Sequence, residues 1–280
     1  MTEDQLIKSI IKLAIEEDIA GGDITTNSLV PESIKATAEM TMKADGVISG
    51  IDIAIAVFKE LDKDTVCTKF VNDGDKVKRG DKILKVEGSY RVLLSAERSS
   101  LNFLQRLSGI ATETSKYVSA LENTQTKVLD TRKTVPGMRM LDKKAVKDGG
   151  GTNHRIGLYD MVLIKDNHIK VAGGILNAVG QIKSIVPPSI KIEVEVTSME
   201  EVKEAIQSGA DIIMLDNMTT AQMAEAVKFI DNRAKTEASG NMSLERIKEV
   251  AQTGVDFISV GALTHSVKAL DISMNIVVES

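Results

Sequence analysis

The chain has no tryptophan, a single cysteine, only four prolines and 3% aromatic residues. With Cys67 alone, no intrachain disulfide and no cysteine-based metal site can form. The shortage of aromatics removes the platforms on which unpaired bases stack. A net charge of −5 opposes the sequence-independent attraction to nucleic acid, while still permitting a local basic pocket for an anion. No apolar run reaches the ~18 residues that a membrane-spanning helix needs. The opening residues, MTEDQLIKSI, are acidic and lack the pattern of a secretory signal. These absences lead to the expectation of a cytoplasmic protein with neither a nucleic-acid nor a membrane partner.

What is present points to packed globular structure. The 280 residues include 42% apolar and 27% charged side chains, enough for one large domain or two ordinary ones. Residues 2–18 read as an amphipathic helix with Thr2 as its N-cap and Leu6, Ile10, Leu13 and Ala14 at helical spacing. Alternation marks strands over 35–43 and 65–71, with a helix over 50–61 between them. Asp73-Gly74 and Arg79-Gly80 are turn signals that suggest hairpins of a small antiparallel sheet. Residues 95–122 read as long helical material with Leu101, Leu104, Leu107 and Ile110 as its apolar stripe, and with Gly109 as a candidate break.

Beyond Thr124 the pattern changes. Six short strands are predicted, KVLD, DMVLI, IKIEVEV, DIIML, KTEAS and DFISV, of which KTEAS is the least apolar. Helices between them are predicted to start near Gly137, Gly173, Ser198, Thr219 and Ser243. Repeated strand–helix units imply a parallel sheet, closed as a full or partial (β/α) barrel or left open and doubly wound. The last segment, DISMNIVVES, reads as a strand returning to the first domain.

The stretch GGGTNHRIGLYDMVLIKDNHI sets cationic groups at both ends of one strand. His154 and Arg155 sit on the loop before it, and Lys165 follows its C-terminal end. In a parallel (β/α) sheet all C-terminal strand ends share one face, where active sites form. That face collects Asp130-Thr131-Arg132-Lys133, Lys165, Glu195 beside Glu193, Asp216-Asn217, Ser239-Gly240-Asn241 and Gly261-Ala262. The cations suit a ligand with several carboxylates or phosphates. Glu195 and Asp216 offer hard oxygens to Mg²⁺, directly or through its waters. Taken singly each signal has a plainer explanation. Glu193 and Glu195 each suit a structural carboxylate paired with a cation elsewhere, Asp216-Asn217 a turn, and the glycines loop punctuation. His168 and His265 are read as structural.

The motifs EDIAGGDITT, AERSSLNFLQRLSGIAT, LDTRKTVPGMR, GGGTNHRIGLYDMVLIKDNHI, EVEV, MLDNM, EASGN and SVGALTHS run in this order along the chain. On these residues the sequence resembles the quinolinate phosphoribosyltransferase family. The resemblance implies an α/β fold with an N-terminal α/β sandwich domain, residues 1–123 rejoined by 270–280, and a C-terminal open-sided (β/α) barrel over 124–269. It implies transfer of phosphoribosyl from phosphoribosyl pyrophosphate (PRPP) to quinolinate with decarboxylation, and Mg²⁺ accompanying PRPP. It also implies a homodimer, with room for a higher oligomer, in which Arg98 reaches the neighbouring site. By the same match Thr131, Arg132, Lys133, His154, Arg155 and Lys165 meet substrate. Glu195 and Asp216 serve ribose and metal, and Ser239, Gly240, Asn241, Val260, Gly261 and Ala262 lie near the 5′-phosphate. Lys133, Lys165, Glu195 and Asp216 are the expected catalytic set. Two rivals remain from the sequence: a related phosphoribosyltransferase with another acceptor, and a non-catalytic barrel that senses a phosphorylated metabolite.

Overall fold

A computed structural model describes residues 2–278; Met1, Glu279 and Ser280, the outer ends of the two segments assigned to the first domain, lie outside the described residues. The chain forms two compact units. The first comprises Met1–Ser115, Thr134–Gly150 and Ser266–Ser280, and the second comprises Lys116–Lys133 and Gly151–His265. The sequence reading ran the second domain without interruption over 124–269, whereas the units interleave. Ion pairs explain why 134–150 groups with the first: Asp142, fully buried, takes a two-pronged grip from Arg106 at 2.8 and 3.1 Å. Lys144 adds contacts to Asp73 at 2.6 Å and Asp148 at 2.7 Å.

In the first unit Thr2 caps the helix Glu3–Ile19, with reciprocal hydrogen bonds between Thr2 and Gln5. A four-stranded antiparallel sheet follows the order Ile272–Val278, Lys35–Met42, Lys82–Ser89, Val66–Lys69. Strict alternation buries Ala36, Ala38, Met40 and Met42 on one face. Lys82–Ser89 is one continuous strand of this sheet and begins just after the Arg79-Gly80 turn signal. The two turn signals also flank Lys76–Val77, which pairs with Gly46–Val47 as a two-stranded ribbon.

The long helix is Tyr90–Ala120, so it starts before Ser95 and Gly109 does not break it. Gly109 is there for closeness of approach. A Cβ on it would collide with the backbone carbonyl of Lys268, which cannot retreat as a side chain would. Gly109→Ala is therefore expected to lower stability by about 1–3 kcal/mol. Urea unfolding checks this, and a variant as stable as wild type would contradict the packing argument.

The second unit carries all six predicted strands, KTEAS included. They form one parallel sheet in the order Lys127–Leu129, Phe257–Ser259, Lys235–Ser239, Ile212–Asp216, Ile192–Val196, Val162–Ile164. The first and last members of that row are not paired to one another, so the barrel is open on the side between them. Ser198, Thr219 and Ser243 cap the helices that follow three of these strands, each accepting from the backbone N–H three residues on. Inside, the period of two sends alternate strand residues toward the axis, and this positions the site.

Candidate active site

A cavity of about 990 Å³ opens at the C-terminal ends of the six strands. Its wall shows the strand periodicity directly. Leu163 and Lys165, Met214 and Asp216, Glu237 and Ser239, and Ser259 and Gly261 all line it, each pair two residues apart. In each pair the second residue lies at or just past the strand end, and the first lies one pleat deeper. The volume stands at the upper end of the usual range for small-molecule pockets, enough for more than one small ligand.

His154 is a buried polar group of the cavity wall. Its backbone N–H donates to Asp130 Oδ1 at 2.9 Å, which ties the loop to the end of the first barrel strand. Its ring Nε2 lies 2.8 Å from Glu193 Oε2 and 3.4 Å from Glu237 Oε2. All three side chains are buried. Burial opposes charge on the imidazole, but the hydrogen bonds and charges of the two acids outweigh it and push the His154 pKa up to about 10. Burial, then the charge of Glu237, push Glu193 up to about 7. His154 is therefore an imidazolium at neutral pH, a buried cation on the cavity wall.

Arg132 and Arg155 line the same cavity. Burial first, and then the charge of Arg132, hold Arg155 below its ordinary pKa. Two guanidinium groups brought together in this way are relieved by an anion between them. Arg155 is anchored by donation to the Met161 carbonyl at 3.1 Å. Lys165 stands at the mouth with its Nζ 3.8 Å from Glu195 Oε2. Burial raises the Glu195 pKa, Lys165 opposes that rise, and Asp216 adds to it. The two acids thus face a shared space from neighbouring strands.

Across the cavity, Ser239-Gly240-Asn241 turns sharply. Gly240 has φ +99° and Asn241 φ +50°, and a Cβ on Gly240 would collide with the Asn217 side chain. Only glycine fits there. Arg246 fastens both loops, donating to the Gly240 carbonyl at 2.9 Å and the Met218 carbonyl at 3.0 Å. Gly261 lets Lys133 and His265 pack close to the backbone.

Thirteen of the fifteen residues singled out from the sequence, from Thr131 to Ala262, line this one cavity; Arg98 and Val260 do not. Val260 is buried and its N–H donates to Leu129 O at 2.9 Å, so it extends the strand pairing rather than facing a ligand. Arg98 is exposed on the Tyr90–Ala120 helix. His168 Nδ1 accepts the Lys165 N–H at 3.0 Å, a contact local to the start of its helix. Glu237 escaped the sequence reading. Its signal was present: a glutamate two residues before Ser239 in the same short strand, the spacing that joins Glu193 to Glu195. Tyr117 and Met242 also line the cavity and carried no signal at all.

Comparison with known proteins follows the same outline. Residues 23–108 match the N-terminal domain and residues 110–275 the C-terminal domain of quinolinate phosphoribosyl transferase. The chain is 43% identical to a probable nicotinate-nucleotide pyrophosphorylase (carboxylating) of Bacillus subtilis, covering 96% of this chain and 93% of the relative. It is 44% identical to the mitochondrial quinolinate phosphoribosyltransferase (decarboxylating) 2b of Nicotiana tabacum, covering 96% and 82%. Its fold superposes on the NadC crystal structure from Streptococcus pyogenes with a TM-score of 0.95 at 40% identity, covering 100% and 99% of the two chains.

Proposed function

The chain belongs to the quinolinate phosphoribosyltransferase family, and from that premise we propose how its cavity works in the reaction that PRPP and quinolinate undergo. The enzyme transfers the phosphoribosyl group to quinolinate with loss of CO₂, giving nicotinate mononucleotide and pyrophosphate for de novo NAD biosynthesis. The observation that carries the site assignment is the meeting of five cationic side chains and the acids Glu195 and Asp216 in one cavity. Both substrates are polyanions, and the transition state between them is positive at one carbon. A site of this composition matches both demands.

Arg132, Arg155, Lys165 and His154 grip the two carboxylates of quinolinate and aim its ring nitrogen at the anomeric carbon of PRPP. The nitrogen lone pair forms the new C–N bond as the C–O bond to pyrophosphate breaks, and its electron pair leaves with the pyrophosphate. Lys133, on the wall beside Gly261, steadies that leaving charge. Glu195 and Asp216 hold the ribose hydroxyls and stabilise the oxocarbenium-like carbon. The turn at Ser239-Gly240-Asn241, with Gly261-Ala262, takes the 5′-phosphate. The product nitrogen is cationic, so the adjacent carboxylate departs as CO₂, its bonding pair remains on the ring carbon, and a proton replaces it. No side-chain nucleophile is needed; orientation and preorganised charge suffice.

Glu195 and Asp216 fit a magnesium ion. They are hard oxygen donors on one wall, and the charge of Asp216, after burial, helps keep Glu195 above its ordinary pKa. When bound, such an ion supplies neutralisation of pyrophosphate charge.

Purified protein given quinolinate, PRPP and Mg²⁺ is expected to release CO₂ and pyrophosphate in equal amounts. Pyrophosphate release with nicotinate in place of quinolinate, and none with quinolinate, would point instead to a relative with another acceptor.

The proposal includes a cytoplasmic homodimer. No helix among the described residues is long and apolar enough to cross a membrane. Arg98 is exposed on its helix, and the cavity of this chain is lined without it, which supports its service to a second copy. Mixing two inactive variants, Arg98→Ala and Lys165→Ala, tests this. A shared site restores one intact centre in each mixed dimer, or about a quarter of wild-type activity at equal ratio. No recovery after verified subunit exchange would show that Arg98 does not act across the interface.

A further inference from the structure

His154 is held more firmly than a residue that merely lines a cavity. The loop is tied to Asp130 through the backbone N–H, and the ring is clasped from two strands by Glu193 and Glu237. The two acids are 0% and 1% exposed. Glu193 Oε1 and Glu237 Oε1 have no hydrogen-bond partner among the described residues and Glu237 Oε2 has the 3.4 Å approach of His154 Nε2, so the imidazole is the principal compensation for two buried acids. Such an arrangement is costly to build and needs a use. The ligand atoms of the three lie within 4.8 Å of one another, close enough for a metal ion. The 2.8 Å Nε2–Oε2 separation is nevertheless that of a closed hydrogen bond, and the imidazolium supplies the positive charge without an ion.

The geometry points to Glu193 and Glu237 as positioning residues that fix the ring of His154 and keep its positive charge in place for a pyridine carboxylate. The inference rests on quinolinate being the substrate. It adds two residues whose part is played through the His154 ring, one of them, Glu237, on the cavity wall and the other, Glu193, behind it. Their carboxylates hold Nε2, so the ring plane is set by the barrel rather than by the loop. Each acid sets a carboxylate oxygen against Nε2, at 2.8 and 3.4 Å, and the cavity gains a buried cation that needs no reorganisation when substrate arrives.

The test uses the full-length enzyme. Glu237→Gln keeps the shape and removes one counter-charge. It is expected to raise the KM for quinolinate by about fivefold to tenfold, about 1.4 kcal/mol at the upper end, with the KM for PRPP within twofold. In a His154→Gln background the same substitution is expected to add nothing, because the group it acts through is gone. Glu237→Asp, which keeps the charge, recovers part of the loss. An independent readout uses ¹⁵N-labelled histidine, which gives only three ring systems to assign. At pH 8 the His154 ring is expected to be protonated on both nitrogens in wild type and in each single Gln variant, but not in Glu193→Gln/Glu237→Gln. If that double variant does not fold, the Glu237→Gln kinetics decide.

Three results would overturn the inference: an unchanged quinolinate KM in Glu237→Gln, an undiminished effect in the His154→Gln background, or a neutral His154 ring in wild type at pH 8. An inactive wild type with quinolinate is a different failure. It would remove the substrate assignment while the ring protonation still reports on the clasp.

Discussion

Arg132→Ala is expected to raise the KM for quinolinate by one to two powers of ten, since a charge-assisted bond to a buried carboxylate contributes about 1.5–3 kcal/mol and each decade is about 1.4 kcal/mol. The KM for PRPP should move far less. The argument comes from the neighbour. Arg155 is held below its ordinary pKa by burial and then by the charge of Arg132, so the two guanidinium groups repel one another across the cavity. A dicarboxylate turns that repulsion into attraction on both sides. The same reasoning sets the stability of the variant. Removing Arg132 loses some packing but relieves Arg155, so unfolding free energy should stay within about 1 kcal/mol of wild type. Steady-state kinetics beside a urea melt separate the two effects. A variant with near-wild-type quinolinate affinity would detach Arg132 from the acid, and a large stability loss would show that the arginine is structural.

Most of what positions this site was legible in the sequence because it depends on local rules. The N-cap threonine and serines announce their helices, and the six strands follow from short apolar runs between turn residues. Parallel topology then forces their ends onto one face, which is why residues as distant as Arg132 and Gly261 meet. What failed to show depends on non-local contacts. Gly109 looked like a helix break because the carbonyl of Lys268 that requires a glycine lies far along the chain. Residues 134–150 read as part of the barrel because nothing local reveals that Asp142 will meet Arg106. Glu237 sits in KTEAS, the strand with the weakest apolar signal, and its importance appears only once His154 and Glu193 are beside it. Arg98 is singled out only by resemblance; in the structure it is an exposed arginine on the Tyr90–Ala120 helix.

Glu195→Gln is expected to lower kcat by about two to three powers of ten, the usual result of removing one preorganised group aimed at transition-state charge. The KM for quinolinate should change only a few-fold. Glu195 and Asp216 face the cavity from adjacent strands, and the charge of Asp216 adds to burial in making Glu195 harder to ionise. Lys165, 3.8 Å from Glu195, offsets part of that cost but in the proposed mechanism is directed to the acid substrate. In the proposed mechanism the unmet negative charge therefore lies where the ribose carbon becomes positive, and its stabilisation is expected in the transition state rather than on binding. Glutamine preserves size and hydrogen bonding, so a loss confined to kcat isolates the charge. The same variant should need more Mg²⁺ for half-maximal activity, because one of the two oxygen donors is neutral. If kcat stays within threefold of wild type, Glu195 does not face the reacting carbon, and the role falls to Asp216 alone. If instead the quinolinate KM carries the whole effect, Glu195 acts by orienting Lys165, and the acid side of the cavity has been assigned to the wrong substrate.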